Sequence, residues 1–336
     1  MAYDVLVKID LTNPIGNLGF GVPLILQENA EQAVPYTEVT NVSAVENAGF
    51  ATSTAVYKAA QLLFSQVNAP KTVAVCAVAD TALTALADTK LISKGWRQLI
   101  VVNGGDGSAS TVSAISTAVE ALEGKMYYAG LDTDDATEVE VTGLRRTVLF
   151  YCNATEDVPV PVAALVGETA GRSAGSFTYK NLILSGIAAQ DLTDVEIEAI
   201  HAKGGITFVT KAGDNVTSEG KTAGGEFIDV VDSEDYIIQQ LAYKTQKILN
   251  NAAKVPYDNN GIAMLESAAV DVLHAAYNGG MIATQEDGTP DYSVSYALRE
   301  DTTEADRATR QYLGGTFRFA LAGAIHRVEV HGTITA

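Results

Sequence analysis

Ser173 lies in a pattern that hydrolases use for a catalytic nucleophile. Residues 171–175 read Gly-Arg-Ser-Ala-Gly, which matches the G-x-S-x-G motif of a nucleophile elbow. Such an elbow needs a strand directly before the serine and a helix directly after it, so that a sharp turn exposes the hydroxyl group. We instead predict a loop at 167–170, and no helical pattern follows the serine. Because a chain with 29 glycines can produce such a match by chance, we interpret this segment as a flexible loop.

A glycine-rich turn at 103–108 occupies a position where nucleotide-binding proteins hold phosphates. It reads Asn-Gly-Gly-Asp-Gly-Ser and falls between a predicted strand and a predicted helix. A phosphate loop would continue with Gly-Lys-Ser or Gly-Lys-Thr, which is missing here. Asp106 would also put a negative charge where a phosphate should lie. We favour a tight strand-to-helix turn, and a soluble α/β nucleotide-binding protein or enzyme using this turn is the alternative.

Acidic and histidine residues show no recognisable metal or catalytic pattern. Residues 132–135 read Asp-Thr-Asp-Asp, but the glycine and the terminal glutamate of a calcium loop are missing. His326 and His331 are five positions apart, so on a strand their side chains would point to opposite faces. No carboxylate pair lies near a histidine in a catalytic order. We therefore predict that the protein is not an enzyme and has no catalytic residue, metal or cofactor.

The composition argues against several classes of protein. The chain has 336 residues, with 22 basic and 41 acidic side chains and a net charge of −19. This charge repels nucleic-acid phosphates and anionic membranes, so we expect neither as a partner. No apolar run approaches the roughly 20 residues that span a bilayer, and we see no signal-peptide pattern. Cys76 and Cys152 lie in apolar runs without a paired-cysteine motif, so we expect synthesis and folding in a reducing cytoplasm.

Residues from about 50 to 152 alternate between helical and strand patterns. The predicted strands cover 71–78, 96–102, 126–129 and 146–152, and the predicted helices cover 51–67, 80–93 and 110–122. Asp80 is the expected N-cap of the second of these helices. Strands separated by helices of this length indicate a parallel or mixed α/β sheet.

After a proline-rich bridge at 156–161 the pattern becomes α+β. Thr193 and Glu196 form a capping box, and Ser233 is the expected N-cap of a long helix. The remaining predicted elements are a strand at 206–210, a helix at 260–277 closed by Gly279, and mostly extended chain from 292 onward with an acidic loop at 300–306. The whole chain therefore has an α/β plus α+β organisation.

Both ends of the sequence carry strand patterns. Apolar and mostly polar side chains alternate near each terminus, and the apolar sets are Tyr3, Val5, Val7 and Ile9 at one end and Val328, Val330 and Ile334 at the other. Chain ends are usually polar and frayed unless something ties them down. Two interpretations follow. The strands pair with the protein's own sheet, or one or both are donated to a neighbouring subunit by strand addition.

A series of short segments in the second half occurs in a consistent order. They are GRSAGSFTYKN at 171–181, GGITF at 204–208, GEFIDV at 225–230, VPY at 255–257, GIAMLE at 261–266, YNGGMI at 277–282, ADRATR at 305–310 and AGAIHRV at 322–328. Together they resemble the C-terminal core of the contractile tail sheath proteins of bacteriophages and phage-tail-like particles. The first half resembles these proteins only in its α/β character.

The resemblance implies a structural subunit of a virion or phage-like tail, assembled in the bacterial host cytoplasm. Subunits of this family stack as helical rings around an inner tail tube, between baseplate and tail terminator proteins. Contraction of the sheath drives the tube through the target cell envelope. Their terminal arms cross to adjacent subunits and complete a small sheet there. The implied division is an N-terminal arm at 1–20, an inserted α/β subdomain at 21–165, a sandwich-like sheath core at 166–320 and a C-terminal arm at 321–336.

Individual residues acquire expected roles from this resemblance. The apolar residues of the two terminal strands become the intersubunit strand arms. The expected hinges are Pro14, Gly16, Gly314 and Gly315, and the expected contacts with the tube or a neighbour are Glu300, Asp301, Glu304, Asp306 and Arg307. A plain solvated loop is the alternative for these charged residues. A third hypothesis for the whole chain is another self-assembling protein, such as a tail tube or compartment shell subunit.

Overall fold

The computed structural model describes residues 21–102, 109–133, 139, 141, 143–326 and 328. The strands are β1 Val22–Gln27, β2 Val34–Val39, β3 Val73–Ala77, β4 Trp96–Val102, β5 Met126–Leu131, β6 Thr147–Tyr151, β7 Gly205–Lys211, β8 Asp214–Thr217, β9 Tyr292–Tyr296 and β10 Gly315–Phe319. The helices are α1 Val42–Asn47, α2 Ala55–Phe64, α3 Ala82–Ala87, α4 Thr89–Ile92, α5 Ala109–Glu120, α6 Val162–Ala170, α7 Asp194–Ala202, α8 Ile228–Asn251, α9 Asn259–Asn278 and α10 Glu304–Thr309.

Eight strands form one mixed sheet in the order β2-β3-β1-β4-β5-β6-β7-β8. The pairs from β3 through β7 are parallel, and the two edge strands β2 and β8 are antiparallel to their neighbours. The parallel strands read as continuous apolar runs because both of their faces are buried, as β3 and β6 illustrate. The expectation of a parallel or mixed α/β sheet is confirmed.

Strand β1, to which the sequence analysis assigns no element, lies in the middle of this sheet between β3 and β4. It contains Pro23, which has no backbone N–H to donate. The pairing of β1 with β4 shifts register between Val22 and Leu24, so the proline sits at a bulge. A bulge of this kind accommodates a proline within a central strand.

Successive side chains of each strand enter different hydrophobic cores on the two faces of the sheet. Ile25 packs in the core formed with α1, α2 and α6. Leu24 and Leu26 pack in the core formed with α3, α4 and α5. A third core lies between α8, α9 and the hairpin β9–β10. The C-terminal elements therefore form a smaller layer with a core of its own.

Three expectations about local structure are wrong. The loop predicted at 167–170 is the last part of α6. Its glycine is required by close packing on α2 and does not break the helix, because a Cβ atom at position 167 would lie 2.4 Å from the Leu63 carbonyl oxygen. Ser233 is buried inside α8, which starts earlier because Ile228 belongs to the core. Thr81 caps α3 in place of Asp80, and the predicted helix breaks at the next cap, Asp88.

Other boundaries agree well with the sequence analysis. β4 has the predicted bounds, and Gly279 is the C-cap of α9. Thr193 and Glu196 form the reciprocal bonds of a capping box. The large sheet continues across position 165, since β7 pairs with β6 and β8 pairs with β7. The division of the chain at this position stays a prediction.

Candidate assembly site

The serine motif does not have the geometry of a nucleophile elbow. Ser173 follows helix α6 where an elbow requires a strand, and it lies in an exposed turn. Its carbonyl oxygen accepts hydrogen bonds from the Ser176 hydroxyl at 2.7 Å and the Ser176 N–H at 3.2 Å. These residues form a local turn that joins α6 to the segment leading to Tyr179.

The other sequence candidates for chemistry are partly outside the described residues. The turn at 103–108 lies between β4 and α5 but is not among the described residues, and neither are positions 134 and 135 of the acidic turn. Asp132 accepts the Ala154 N–H at 2.7 Å. Among the described residues, no group of three His, Cys, Asp or Glu side chains is arranged to hold a metal ion. In the same part of the chain, no helix has the length and hydropathy needed for a bilayer crossing.

The hairpin β9–β10 is a two-stranded antiparallel sheet in which Phe317 lies opposite Val294. Ala297 donates to the Gly314 carbonyl at 3.0 Å, and Ala320 donates to the Asp291 carbonyl at 2.9 Å. Bonded pairs alternate along an antiparallel ladder. The backbone N–H and C=O groups of Val294 and Phe317 therefore point away from the partner strand, one set to each outer edge of the hairpin.

Neither outer edge of this hairpin pairs with another strand in the described part of the chain. One face of the hairpin carries half-buried apolar residues against α9, and they are Tyr292, Val294, Tyr296, Phe317 and Phe319. The opposite face is exposed and polar. An isolated two-stranded hairpin of this size is marginally stable. Strands that pair with its edges would add backbone hydrogen bonds and would widen its apolar face. The hairpin therefore offers two edges for strand addition.

A tyrosine cluster closes one end of the hairpin. The ring of Tyr312 stacks on Tyr296 at 5.8 Å and meets Tyr257 edge-on at 6.1 Å. A Cβ atom at Gly314 would lie 2.7 Å from the Ala297 Cβ, so this position needs glycine for close packing. At Gly315, the first residue of β10, a Cβ atom would lie 2.8 Å from the Tyr296 ring. The expected hinge role of these two glycines stays a prediction.

The five charged residues predicted to contact the tube or a neighbour come together in one exposed segment, which consists of a short 3₁₀ helix at Arg299–Asp301 and α10. The acidic loop predicted at 300–306 therefore contains two short helical segments, and the contact role of these residues stays a prediction. Asp306 accepts a hydrogen bond from the Thr303 hydroxyl, the N-cap of α10, and Arg307 donates to carbonyls of residues 299 and 302. Both side chains thus hold the segment together. Glu300, Asp301 and Glu304 are exposed, and Glu300 also accepts a hydrogen bond from the Asn259 side chain at 3.3 Å.

Most of the predicted arm and hinge residues lie outside the described residues, and these are Tyr3, Val5, Val7, Ile9, Pro14, Gly16, Val330 and Ile334. Val328 is described, and it is 74% exposed. Ile325 is also 84% exposed. The C-terminal segment thus carries two large apolar side chains that the described residues leave uncovered.

A buried ion network that the sequence analysis missed fixes α8 against the large sheet. Arg97 on β4 reaches Asp232 at 2.5 Å and Asp235 at 2.7 Å. Asp235 also pairs with Arg146 at 2.9 Å, and Asp232 accepts the Tyr179 hydroxyl at 2.7 Å. The sequence signal was weak, because two carboxylates three positions apart on a helix usually mark a solvated face.

Burial and charge act in opposite directions on the pKa values of this network. Burial disfavours the charged form of Arg97, but the neighbouring Asp235 and Asp232 carboxylates outweigh it and raise the pKa of the guanidinium. Burial also opposes ionisation of Asp235, yet Arg97 and Arg146 lower its pKa. Lys125 lies next to the network, where the described residues offer it no carboxylate partner, and burial together with Arg97 lowers its pKa to about 7.

Comparisons with known proteins agree with this architecture. Residues 228–334 match the family described as E217 tail sheath protein gp31-like, C-terminal domain. A chain of the anti-feeding prophage baseplate superposes with a TM-score of 0.71 at 15% identity, covering 100% of this chain and 97% of that one. The contracted helical sheath of the same particle gives a TM-score of 0.70 at 13% identity, with 100% and 99% coverage.

A third solved structure, the sheath tail protein Lin1278 from Listeria innocua, gives a TM-score of 0.56 at 12% identity, covering 91% of this chain and 96% of that chain. No curated protein sequence matches significantly. These likenesses show that the chain has the fold of contractile sheath proteins over nearly its whole length. The resemblance found in the sequence is thereby confirmed.

Proposed function

We propose that this protein is the structural subunit of a contractile tail sheath, which polymerises helically around an inner tube and contracts to drive the tube through a target cell envelope. The observation that carries this proposal is the joint match of the C-terminal segment to a sheath family and of the full chain to sheath structures. The matched proteins are structural, which agrees with the expectation that the chain is not an enzyme.

The proposed assembly contact is exchange of the terminal arms. The alternating residues Tyr3, Val5, Val7 and Ile9 could extend the apolar face of a neighbour's hairpin, while backbone groups bond to its open edge. The outward-pointing groups of Val294 and Phe317 support this proposal. Because register in such a contact follows the side-chain alternation, one face of each arm must be apolar. A head-to-tail contact of this kind that does not close into a ring extends into a filament.

The remaining details of the mechanism follow from the proposed polymer. The N-terminal arm flexes near Pro14 and Gly16, and the second proposed hinge, at Gly314 and Gly315, lies at the start of β10, while the added strands stay paired. The extended polymer is kinetically trapped, and its subunits rotate into a shorter, wider packing that buries more surface. Glu300, Asp301 and Glu304 are the exposed charges available for a weak contact with the tube or a neighbour. The sheath ends on baseplate and terminator proteins.

The alternatives lack a comparable observation. The matched family and structures do not support a nucleotide-binding protein that uses the turn at 103–108. A tail tube or shell subunit would have to share the sheath fold by coincidence. We therefore propose the sheath function alone.

Substitutions in the N-terminal arm test the proposal. Val7→Asp places a charge on the apolar face of the predicted strand, whereas Lys8→Asp places the same charge on its polar face. We expect Val7→Asp to remain folded by circular dichroism but to form no rings or tubes in negative-stain microscopy. Lys8→Asp should polymerise like the parent protein. Polymerisation of Val7→Asp, or its failure to fold, would contradict arm exchange.

A further inference from the structure

The segment after β10 leaves the hairpin and reaches the large sheet. Ala320 and Ala322 are still bonded to the C-terminal layer, through the carbonyls of Asp291 and Met281. Four residues further on, His326 contacts Glu219, which follows β8, and Thr178, which follows α6. The chain therefore passes from the C-terminal layer to the large-sheet layer just before the predicted arm strand.

His326 is the one firmly held side chain in an otherwise exposed stretch of the described chain. Its side chain is 12% exposed, whereas Ile325 and Val328 are 84% and 74% exposed. One ring nitrogen, Nδ1, lies 3.1 Å from Glu219 Oε1, and the other, Nε2, lies 2.7 Å from Thr178 Oγ1. The ring also meets Phe227 edge-on at a centroid distance of 4.7 Å.

The surroundings fix the roles of the two ring nitrogens. A carboxylate only accepts hydrogen bonds, so Nδ1 carries a proton and donates it to Glu219. In the neutral ring Nε2 accepts from the Thr178 hydroxyl, and in the protonated ring it donates to the same oxygen. Both contacts are therefore kept in either charge state of the histidine.

The Glu219 carboxyl group is ionised and therefore accepts the hydrogen bond from His326 well. Burial opposes its ionisation, but the Gly220 N–H at 3.0 Å, Lys180 at 3.7 Å and His326 outweigh that effect and lower its pKa. The hydrogen-bond acceptor for the histidine is thus an ionised carboxylate two residues beyond the end of β8. A charge-assisted bond to such a group is stronger than a neutral one.

We propose that His326 anchors the base of the C-terminal arm to its own subunit, so that the residues beyond it are presented to a neighbouring copy from a fixed point. This inference rests on the proposed sheath function. A fixed starting point lowers the conformational entropy that the arm loses on pairing, which favours assembly in one register. His326 is a positioning residue, because it acts on assembly through the arm that follows it.

The anchor is tested first without polymerisation. Spin labels are attached to cysteines introduced by Val195→Cys on α7 and Val328→Cys near the arm base, both at exposed positions. The distance between the two labels is measured in a protein that also carries Val7→Asp, which is expected to prevent polymerisation. We expect a narrow distance distribution, which becomes at least about twofold broader in His326→Ala, because it removes both hydrogen bonds of the anchor, and also broader in Thr178→Val, because it removes one of them. Ile325→Ala is the matched control and should leave the distribution narrow. An unchanged distribution in His326→Ala would overturn the proposal.

Assembly of the unlabelled full-length variants is then compared by sedimentation and negative-stain microscopy. The proposal predicts that His326→Ala and Thr178→Val give fewer and less regular polymers than Ile325→Ala. The inference would be refuted if His326→Ala broadened the distance distribution but still formed normal polymers. That result would show that assembly does not depend on anchoring the base of the C-terminal arm. If the parent protein forms no polymer, the proposed function fails, whereas the distance measurement still decides whether His326 is an anchor.

Discussion

Arg97 on the central strand β4 and Asp232 on α8 form a buried ion pair at 2.5 Å that joins the two layers of the protein. Both side chains are more than nine-tenths buried, and Asp235 and Arg146 extend the pair into a network. Desolvated charges of this kind require a partner, because an unpaired buried charge is strongly unfavourable. The network therefore makes the position of α8 relative to the sheet specific, and α8 in turn supports α9 and the hairpin.

Removal of the arginine should destabilise the whole chain. Arg97→Met leaves Asp232 without its buried cation, and we expect the free energy of unfolding to fall by about 3–5 kcal/mol. Urea denaturation followed by circular dichroism measures this. The matched control is Arg318→Met, which removes an exposed pair with Asp291 at 3.3 Å and should cost less than about 1 kcal/mol. Similar losses in the two variants would show that the network does not hold the layers together.

Lys125 should make stability depend on alkaline pH. Its pKa is lowered from 10.5 to about 7, so between these values the unfolded chain binds more protons than the folded one. Stability then rises with pH across this window. Lys125→Met removes this contribution, so the stability difference between parent and variant should change between about pH 7 and pH 10.5.

The control for this titration is Lys90→Met, which removes an exposed lysine on α4. Its stability difference from the parent should stay constant over the same pH range. A constant difference for Lys125→Met as well would mean that the ammonium group stays charged in the folded protein, held by the carbonyls of Lys94 and Trp96 and by the Trp96 ring at 4.3 Å.

Gly167 tests the close contact between α6 and α2. Alanine usually stabilises a helix relative to glycine, but here its Cβ would meet the Leu63 carbonyl oxygen at 2.4 Å. We expect Gly167→Ala to lower the free energy of unfolding by about 1–3 kcal/mol. Gly323→Ala, with no atom within 4 Å of the added Cβ, should change it by less than about 0.5 kcal/mol. An increase in the free energy of unfolding of Gly167→Ala would contradict this prediction. It would mean that α6 and α2 can move apart at little energetic cost.

The large sheet could be predicted because its strands have a local signature. β3 and β6 are buried on both faces and read as almost entirely apolar runs between turn signals, and β4 ends in the apolar run 99–102 after Arg97 and Gln98. Helix starts were less predictable where burial decides them. Ile228 begins α8 because it enters the core, although Phe227 provides no side-chain cap and Ser233 carries the better capping signal.

The site was harder to predict than the sheet. The alternation at Val294 and Phe317 indicates extended chain, but pairing across a connection that contains α10 depends on tertiary contacts with α9. The contact of Asp232 with Arg97 spans 135 positions and has no local pattern. His326 likewise meets Glu219 across 107 positions. Long-range polar contacts of this kind need the folded backbone before they can be seen.

The most direct measurement is a cryo-electron microscopy map of the assembled polymer in which the path of residues 3–9 is traced. Arm exchange predicts that these residues form a strand on the hairpin β9–β10 of a different subunit, bonded to the outward backbone groups of Val294 or Phe317. A map in which both terminal strands lie wholly within their own subunit would contradict the account.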